Sequence, residues 1–437
     1  MAMGEDDEDV VVLPSGGPLS SENELNDSGP TGSVSLTRWV LAGNETPPQF
    51  NRFHCPSMVK SITQLVAQRR PYCLVEREVF FTHEDALDKI FASHWITPDQ
   101  LLLGTKNNKL VLLLHPGRAD ARTTFIPLPA SRSKLPVEPS GIHFFQLSPS
   151  GRLMATGTTN PNDIGIFLYP EMTPLAVLEG FSDWAFDGVW LDECTLAAAG
   201  RDHSLAVWRL PPEGTSDTFP FFRPAVHNLQ AHRNKVREIK LDRGASCCAL
   251  PDLDCCFLCC ADDGKFATMG PDRQIKIWDS GTISEVAVWG IPEDRDYTSM
   301  AFEDETHRFI IGSHTHLCLV DHRAPMTTII RSRSFGIRSL LAEGHILSIG
   351  GGDGTLSFLD TRTERFLEVT TPTGARGLFT AGRGSLVRDD TWQMYFDPSW
   401  QVPNSLYTMA YDPSGRLLFT GGGPYPCGLK GVYAALW

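Results

Sequence analysis

The stretch FATMGPDRQIKIWDS (266–280) reads as strand, tight turn and strand. Small residues run up to Gly270, Asp272 sits in the turn, and an alternating apolar strand ends in Trp278 followed by Asp279. Outward from it the same register recurs in AAAGRDHSLAVWRL (197–210), FIIGSHTHLCLVDHR (309–323) and HILSIGGGDGTLSFLDTR (345–362). Fainter copies occupy 100–114, 153–169 and 417–437. Asp202 and Trp208, Asp272 and Trp278, and Asp353 and Leu359 are separated by one common step. A strand–turn–strand unit cannot bury its apolar face alone, so the copies must stack on one another until the array closes. The prediction is an all-β, seven-bladed β-propeller. Uneven spacing before Gly270 and Gly421 is expected to be inserted loop.

Composition agrees. The chain has 437 residues, 41% hydrophobic, which suffices for one such ring plus an arm. No run reaches the ~18 apolar residues of a membrane span, the start is not that of a secretory signal, and eleven cysteines suit a reducing compartment. A soluble intracellular protein is expected. The net charge of −14 is unevenly spread: residues 1–30 carry eight acidic residues and no Lys or Arg. That stretch is predicted to be a disordered acidic tail. Residues 31–87 lack the strand rhythm and are assigned to a helical arm, with the propeller at 88–437. Within the arm, Met58, Ile62, Leu65 and Val66 share one face of a predicted helix capped by Ser57 and stopped by Pro71. That stripe either packs on the ring or lies in a partner's groove.

In a four-stranded blade, the approach to the innermost strand and the turn between strands two and three share the top face. Sorted this way, Lys106 and Arg201 take equivalent turns in blades one and three, while Lys235, Arg237 and Arg338 begin innermost strands of blades four and six. Any one of them alone is a solvated charge. Five around one mouth repel each other unless an anion compensates, so an anionic ligand is expected there. The loop 370–404, with Arg376, Arg383 and Arg388 beside Trp392 and Trp400, is expected to open on the same side. Planar Arg forks suit carboxylate or phosphate, whereas nucleic acid is disfavoured because no long basic stripe appears. On the bottom, LVDHR and FLDTR both end strand three in Asp-x-Arg, Asp321 with Arg323 and Asp360 with Arg362. The plain reading has each Arg bridging its own blade.

The turn Asp followed by an aromatic and "WD" resembles the WD-repeat family, in which Asp, a His from the preceding loop and the Trp form a buried network. His232 is the expected partner of Asp272 and Trp278, and His143 a second candidate. The Asp-x-Arg endings resemble those of WD-repeat substrate receptors for cullin-4 ubiquitin ligases. More specific strings are GIHFFQLSPSGRLMATGTTNPNDIGIFLY (141–169), DDTWQMYF (389–396) and GGPYPCGLKGVYAALW (422–437). With KIFASHW (89–95), LLGTKNNKL (102–110), DWAFDGVWL (183–191) and FGIRSL (335–340), they resemble the DDB- and cullin-4-associated factor twelve group over roughly 70–437. The resemblance implies a receptor that recognises acidic C-terminal degrons ending in paired glutamates through Lys106, Arg201, Lys235, Arg237 and Arg338. It also implies that Arg323 and Arg362, with the arm residues Met58, Ile62 and Leu65, face the DDB adaptor. Cytoplasmic and nuclear residence would follow, although the acidic start lacks that group's basic import-like segment.

No phosphate-cradling loop, metal-spaced His pair or nucleophile elbow occurs, so no catalysis, cofactor or metal is expected. His314 and His316 are read as turn and strand residues, and the six cysteines between Cys247 and Cys260 as a buried strand. The alternative function is a scaffold outside ubiquitin chemistry that binds phosphopeptides or other anions at the same mouth.

Overall fold

The computed structural model describes residues 74, 76–79, 81, 87–136, 141–211, 220–233, 235–242, 264–291, 297–321, 323, 326–370, 376–397, 399–426 and 428–437. All lie in the unit Asn51–Trp437. The predicted tail, the arm helix with Met58, Ile62 and Leu65, and the Cys247–Cys260 cluster lie outside the described residues.

Seven sheets, antiparallel but for one strand added to blade two, form a seven-bladed propeller. Their innermost strands are Ile90–Thr97, Gln146–Leu147, Ala185–Trp190, Glu238–Asp242, Ser299–Glu303, Ile337–Glu343 and Asn404–Tyr411, which number the blades one to seven. The stretch that opened the sequence reading is strands two and three of blade four, Lys265–Gly270 paired with Gln274–Asp279. Each of the seven gaps between neighbouring blades holds its own apolar cluster. Leu102 and Ile142 join blades one and two, for example, and Ile90 and Phe419 join blades one and seven. A core in every gap, the last one included, is what a closed ring requires.

Two of the repeat glycines have their cause in these gaps. A Cβ on Gly104 would lie 2.6 Å from Ile142 Cγ2, and one on Gly312 would lie 2.6 Å from Ile337 Cγ2. Blades converge most tightly near the channel, and an isoleucine of the next blade fills the room the missing side chain leaves.

Closure corrects the assigned boundary at 87/88. Arg77–Glu78 pairs with Tyr433–Leu436 as the outermost strand of blade seven, and Val79 N donates to Ala434 O at 2.8 Å. The ring therefore begins inside the segment assigned to the arm. Both described ends of the chain meet in one sheet, so no sheet edge is left where the ring was begun.

Two further departures matter. Between strands three and four of blade three the chain crosses to blade two, where Phe221–Pro224 lies parallel to Thr173–Glu179 before His227–Gln230 returns. The region read as a plain loop, 370–404, contains a helix, α1 (Asp390–Tyr395), whose N-cap Asp389 accepts from Trp392 N.

Blade four carries the complete WD-type network. His232 Nδ1 lies 3.0 Å from both Asp272 carboxylate oxygens, and its Nε2 is 2.9 Å from Thr268 Oγ1. Trp278 Nε1 donates to that same hydroxyl at 2.9 Å. Blade three keeps Asp202 and Trp208 but not the histidine: Ser182 donates to Asp202, and Trp208 Nε1 donates to Glu179 O. His143 has no such role. It stacks on Phe91 at 4.8 Å, centroid to centroid, and meets Phe186 edge-on.

Candidate functional site: the channel mouth

A single local device builds the mouth. In blades one, three, six and seven the pairing of the two innermost strands slips in the first half of the innermost strand, at Phe91, Phe186, Arg338 and Tyr407, and blade one slips again at Ile96. In blade four Arg237 N donates to Met269 O while Glu238 also faces Met269, and in blade five Thr298 N donates to Gly312 O while Ser299 faces Gly312. Two residues opposite one is a β-bulge, and a bulge re-aims its side chain. With His143 in the corresponding place in blade two, these seven positions ring the upper channel.

Ring contacts trace that circle. Arg237 lies over Phe186 at 5.3 Å, Phe186 meets His143, His143 stacks on Phe91, Phe91 meets Tyr407 at 5.2 Å, and Tyr407 Oη donates to Tyr425 O at 3.5 Å. Arg338 then lies over Tyr425 at 5.3 Å. Burial, with the Arg237 cation nearby, pushes the His143 imidazole down to about 3. The histidine is therefore neutral, and the positive charge of this circle comes from its arginines.

Three of the five predicted cations converge. Lys235, Arg237 and Arg338 line one cleft of about 290 Å³ together with Pro271, Tyr297, Thr298 and His314. No carboxylate lines it among the described residues. Arg338 Nη2 donates to Tyr425 Oη at 3.4 Å, whereas its Nε is buried without a hydrogen-bond partner among the described residues. A buried donor left unmatched costs about 1–3 kcal/mol, which an incoming anion would offset.

Lys106 and Arg201 do not line that cleft, and each has a carboxylate neighbour. Lys106 Nζ lies 3.7 Å from Asp88, and Arg201 Nε lies 3.6 Å from Asp183. Their backbone placement is equivalent as expected: Lys106 N donates to Lys89 O and Arg201 N to Trp184 O. Arg201 also stacks over Trp184 at 4.2 Å. Lys235, Arg237 and Arg338 thus share one cleft at blades four to six, while Lys106 and Arg201 stand at blades one and three, each beside a carboxylate.

On the bottom, Arg323 donates from Nε and Nη2 to Asp321 at 2.9 Å each, and Arg362 makes the same fork to Asp360 at 3.1 and 2.9 Å. The plain reading of these pairs holds. Both arginine side chains nonetheless remain about half exposed, 50% and 55%, so each is a rigidly aimed surface cation. The Arg362 fork holds the Asp360 carboxyl below its ordinary range.

Residues 71–437 match the family described as the DDB1- and CUL4-associated factor 12 beta propeller. The chain belongs to that family. Among solved structures it is similar to the WD40 beta propeller domain of Doa1, at 13% identity and a TM-score of 0.53, over 82% of this chain and 95% of that one. That likeness shows the propeller fold alone.

Sequence reasoning on this DCAF12-family chain missed several cleft residues. His314, Tyr297 and Pro271 line the cleft, and Tyr425 covers Arg338. His314 was read as a turn residue, and it is one; Gly336 N donates to its carbonyl at 2.8 Å. Its alignment with Arg201 was hidden because Gly200 lies opposite the residue before the bulge and Gly312 opposite the residue after it. Counting from the glycine sets Ser313, not His314, beside Arg201.

Proposed function

We propose that this chain is a substrate receptor of a cullin-4 RING ubiquitin ligase, whose basic cleft takes acidic carboxy termini ending in paired glutamates. The observation that carries the ligand is the cleft lining: among the described residues it holds three cations, no carboxylate, and a buried Arg338 donor without an acceptor. A terminus with two glutamates presents three carboxylates on two residues. Each charge-assisted hydrogen bond contributes about 1.5–3 kcal/mol before desolvation. Lys106 and Arg201, held by Asp88 and Asp183, would exchange or share those partners with acidic residues upstream. In this role the receptor holds a substrate in place and carries out no reaction itself.

The family name supports the second half of the proposal, association with the DDB1 adaptor. The adaptor would meet Arg323 and Arg362 on the bottom face together with the arm residues Met58, Ile62 and Leu65. Such a receptor would act in the cytoplasm and nucleus. Arg323→Ala combined with Arg362→Ala is expected to lower adaptor affinity at least about thirtyfold, taking about 1–2 kcal/mol for each truncated interface arginine. Binding of a glutamate-ended peptide should not change. Co-precipitation checks the first expectation and peptide titration the second. Failure of the unmodified chain to capture the adaptor would remove the ligase assignment. Loss of both activities in the double variant would confine the two arginines to holding their own blades.

A further inference from the structure

Exposed large apolar side chains gather in the insertion between blades six and seven: Val387, Met394, Tyr395 and Trp400, the last at 47% exposure. The insertion is not loosely attached. Val387 bridges to Lys430 in the second-to-third turn of blade seven, and Lys430 Nζ lies 3.7 Å from Asp389. Trp392, 3% exposed, stacks on Phe396 at 5.4 Å, and Phe396 stacks on Trp400 at 5.1 Å. Trp400 is thus the outward ring of a three-ring stack whose inner ring is buried. Trp is enriched at interfaces because its ring offers a large apolar face with one polar edge.

Its place fixes what it would touch. Tyr425, which covers Arg338 at the edge of the basic cleft, donates its backbone N–H to Pro403 O at 3.0 Å. Pro403 is three residues from Trp400, so the two are at most about 11 Å apart along the chain. Resting on the proposed role of the cleft, we infer that Trp400 is a specificity-determining contact for the substrate segment just upstream of its acidic end. A bound chain leaving the cleft over Tyr425 covers about 3.3 Å per residue and meets Trp400 some three to six residues from its terminus. The side chain wanted there is apolar. The blade-one and blade-three rim presents the polar pairs Lys106–Asp88 and Arg201–Asp183 instead, which suit no such residue.

The test uses the full chain and labelled ten-residue peptides ending in Glu-Glu, with an otherwise Gly/Ser sequence or a single Leu moved through positions three to six from the end. The expected result is one Leu position that tightens binding about tenfold, the scale of one buried aliphatic contact. That gain should vanish in Trp400→Ser and return in Trp400→Phe, while the Gly/Ser peptide binds all three proteins equally. Equal Gly/Ser binding also certifies that the variants are folded. No gain at any position, or a gain that survives Trp400→Ser, overturns the inference and leaves the cleft assignment standing. Absence of Gly/Ser peptide binding by the unmodified chain overturns both.

Discussion

Replacing Arg338 with glutamate is expected to lower affinity for a peptide ending in Glu-Glu by at least about 100-fold, or roughly 2.7 kcal/mol. Arg338 sits at a bulge in the innermost strand of blade six, with its guanidinium over Tyr425 and a buried Nε that has no acceptor among the described residues. The reversal deletes one charge-assisted bond and sets a carboxylate against the ligand's own, both in a cleft that holds only about 290 Å³. Arg338→Lys separates charge from shape. A lysine keeps the cation but not the planar fork, so about a tenfold loss is expected. Fluorescence anisotropy on the three proteins reads the series. Equal losses for Lys and Glu would mean that geometry alone matters, and no loss for Glu would remove Arg338 from the site.

The second large effect concerns the fold. His232→Ala is expected to destabilise the propeller by about 3–4 kcal/mol, as breaking a buried hydrogen-bonded network does. The protons in blade four follow one order. Trp278 Nε1–H donates to Thr268, which leaves the Thr268 hydroxyl proton to donate to His232 Nε2, while His232 Nδ1–H donates to Asp272. That order needs a neutral imidazole, and burial does lower the His232 pKa despite the Asp272 carboxylate beside it. A group whose folded pKa is depressed binds more protons when unfolded, so this contribution is present above about pH 6.5 and fades as the pH falls below it. Denaturant titration at pH 7.5 measures the loss. The gap between wild type and His232→Ala should narrow at pH 5, and a constant gap would contradict the neutral assignment.

How far the sequence reached depended on which link was local. Asp272, Trp278 and the Gly270 step report contacts inside one blade, so the repeat and its register were legible from residue spacing. The sorting of Lys106, Arg201, Lys235, Arg237 and Arg338 onto one face was legible too, because strand direction alone decides it. The carboxylates beside Lys106 and Arg201 were not. Asp88 and Asp183 approach Lys106 and Arg201 from the entries to their innermost strands, 18 positions earlier in each case (106 − 88 and 201 − 183). Spacing along a chain does not report such pairings. Tyr425 reaches Arg338 from a different blade, 87 positions away in sequence. Ring closure was hidden for a related reason: Arg77–Glu78 is only two residues long and carries no periodicity, and its pairing depends wholly on Tyr433–Leu436 being present to receive it. His143 was misplaced because a histidine before an innermost strand serves equally well in a blade network or as a channel-lining ring.

The most direct test titrates the unmodified chain with one peptide in two forms, ending in Glu-Glu as the free acid and as the carboxy-terminal amide. If Lys235, Arg237 and Arg338 grip a chain terminus, the free acid binds and amidation weakens it at least about 100-fold, the combined worth of two lost charge-assisted bonds. Equal binding of acid and amide, or stronger binding of an internal phosphopeptide than of either, would contradict that account.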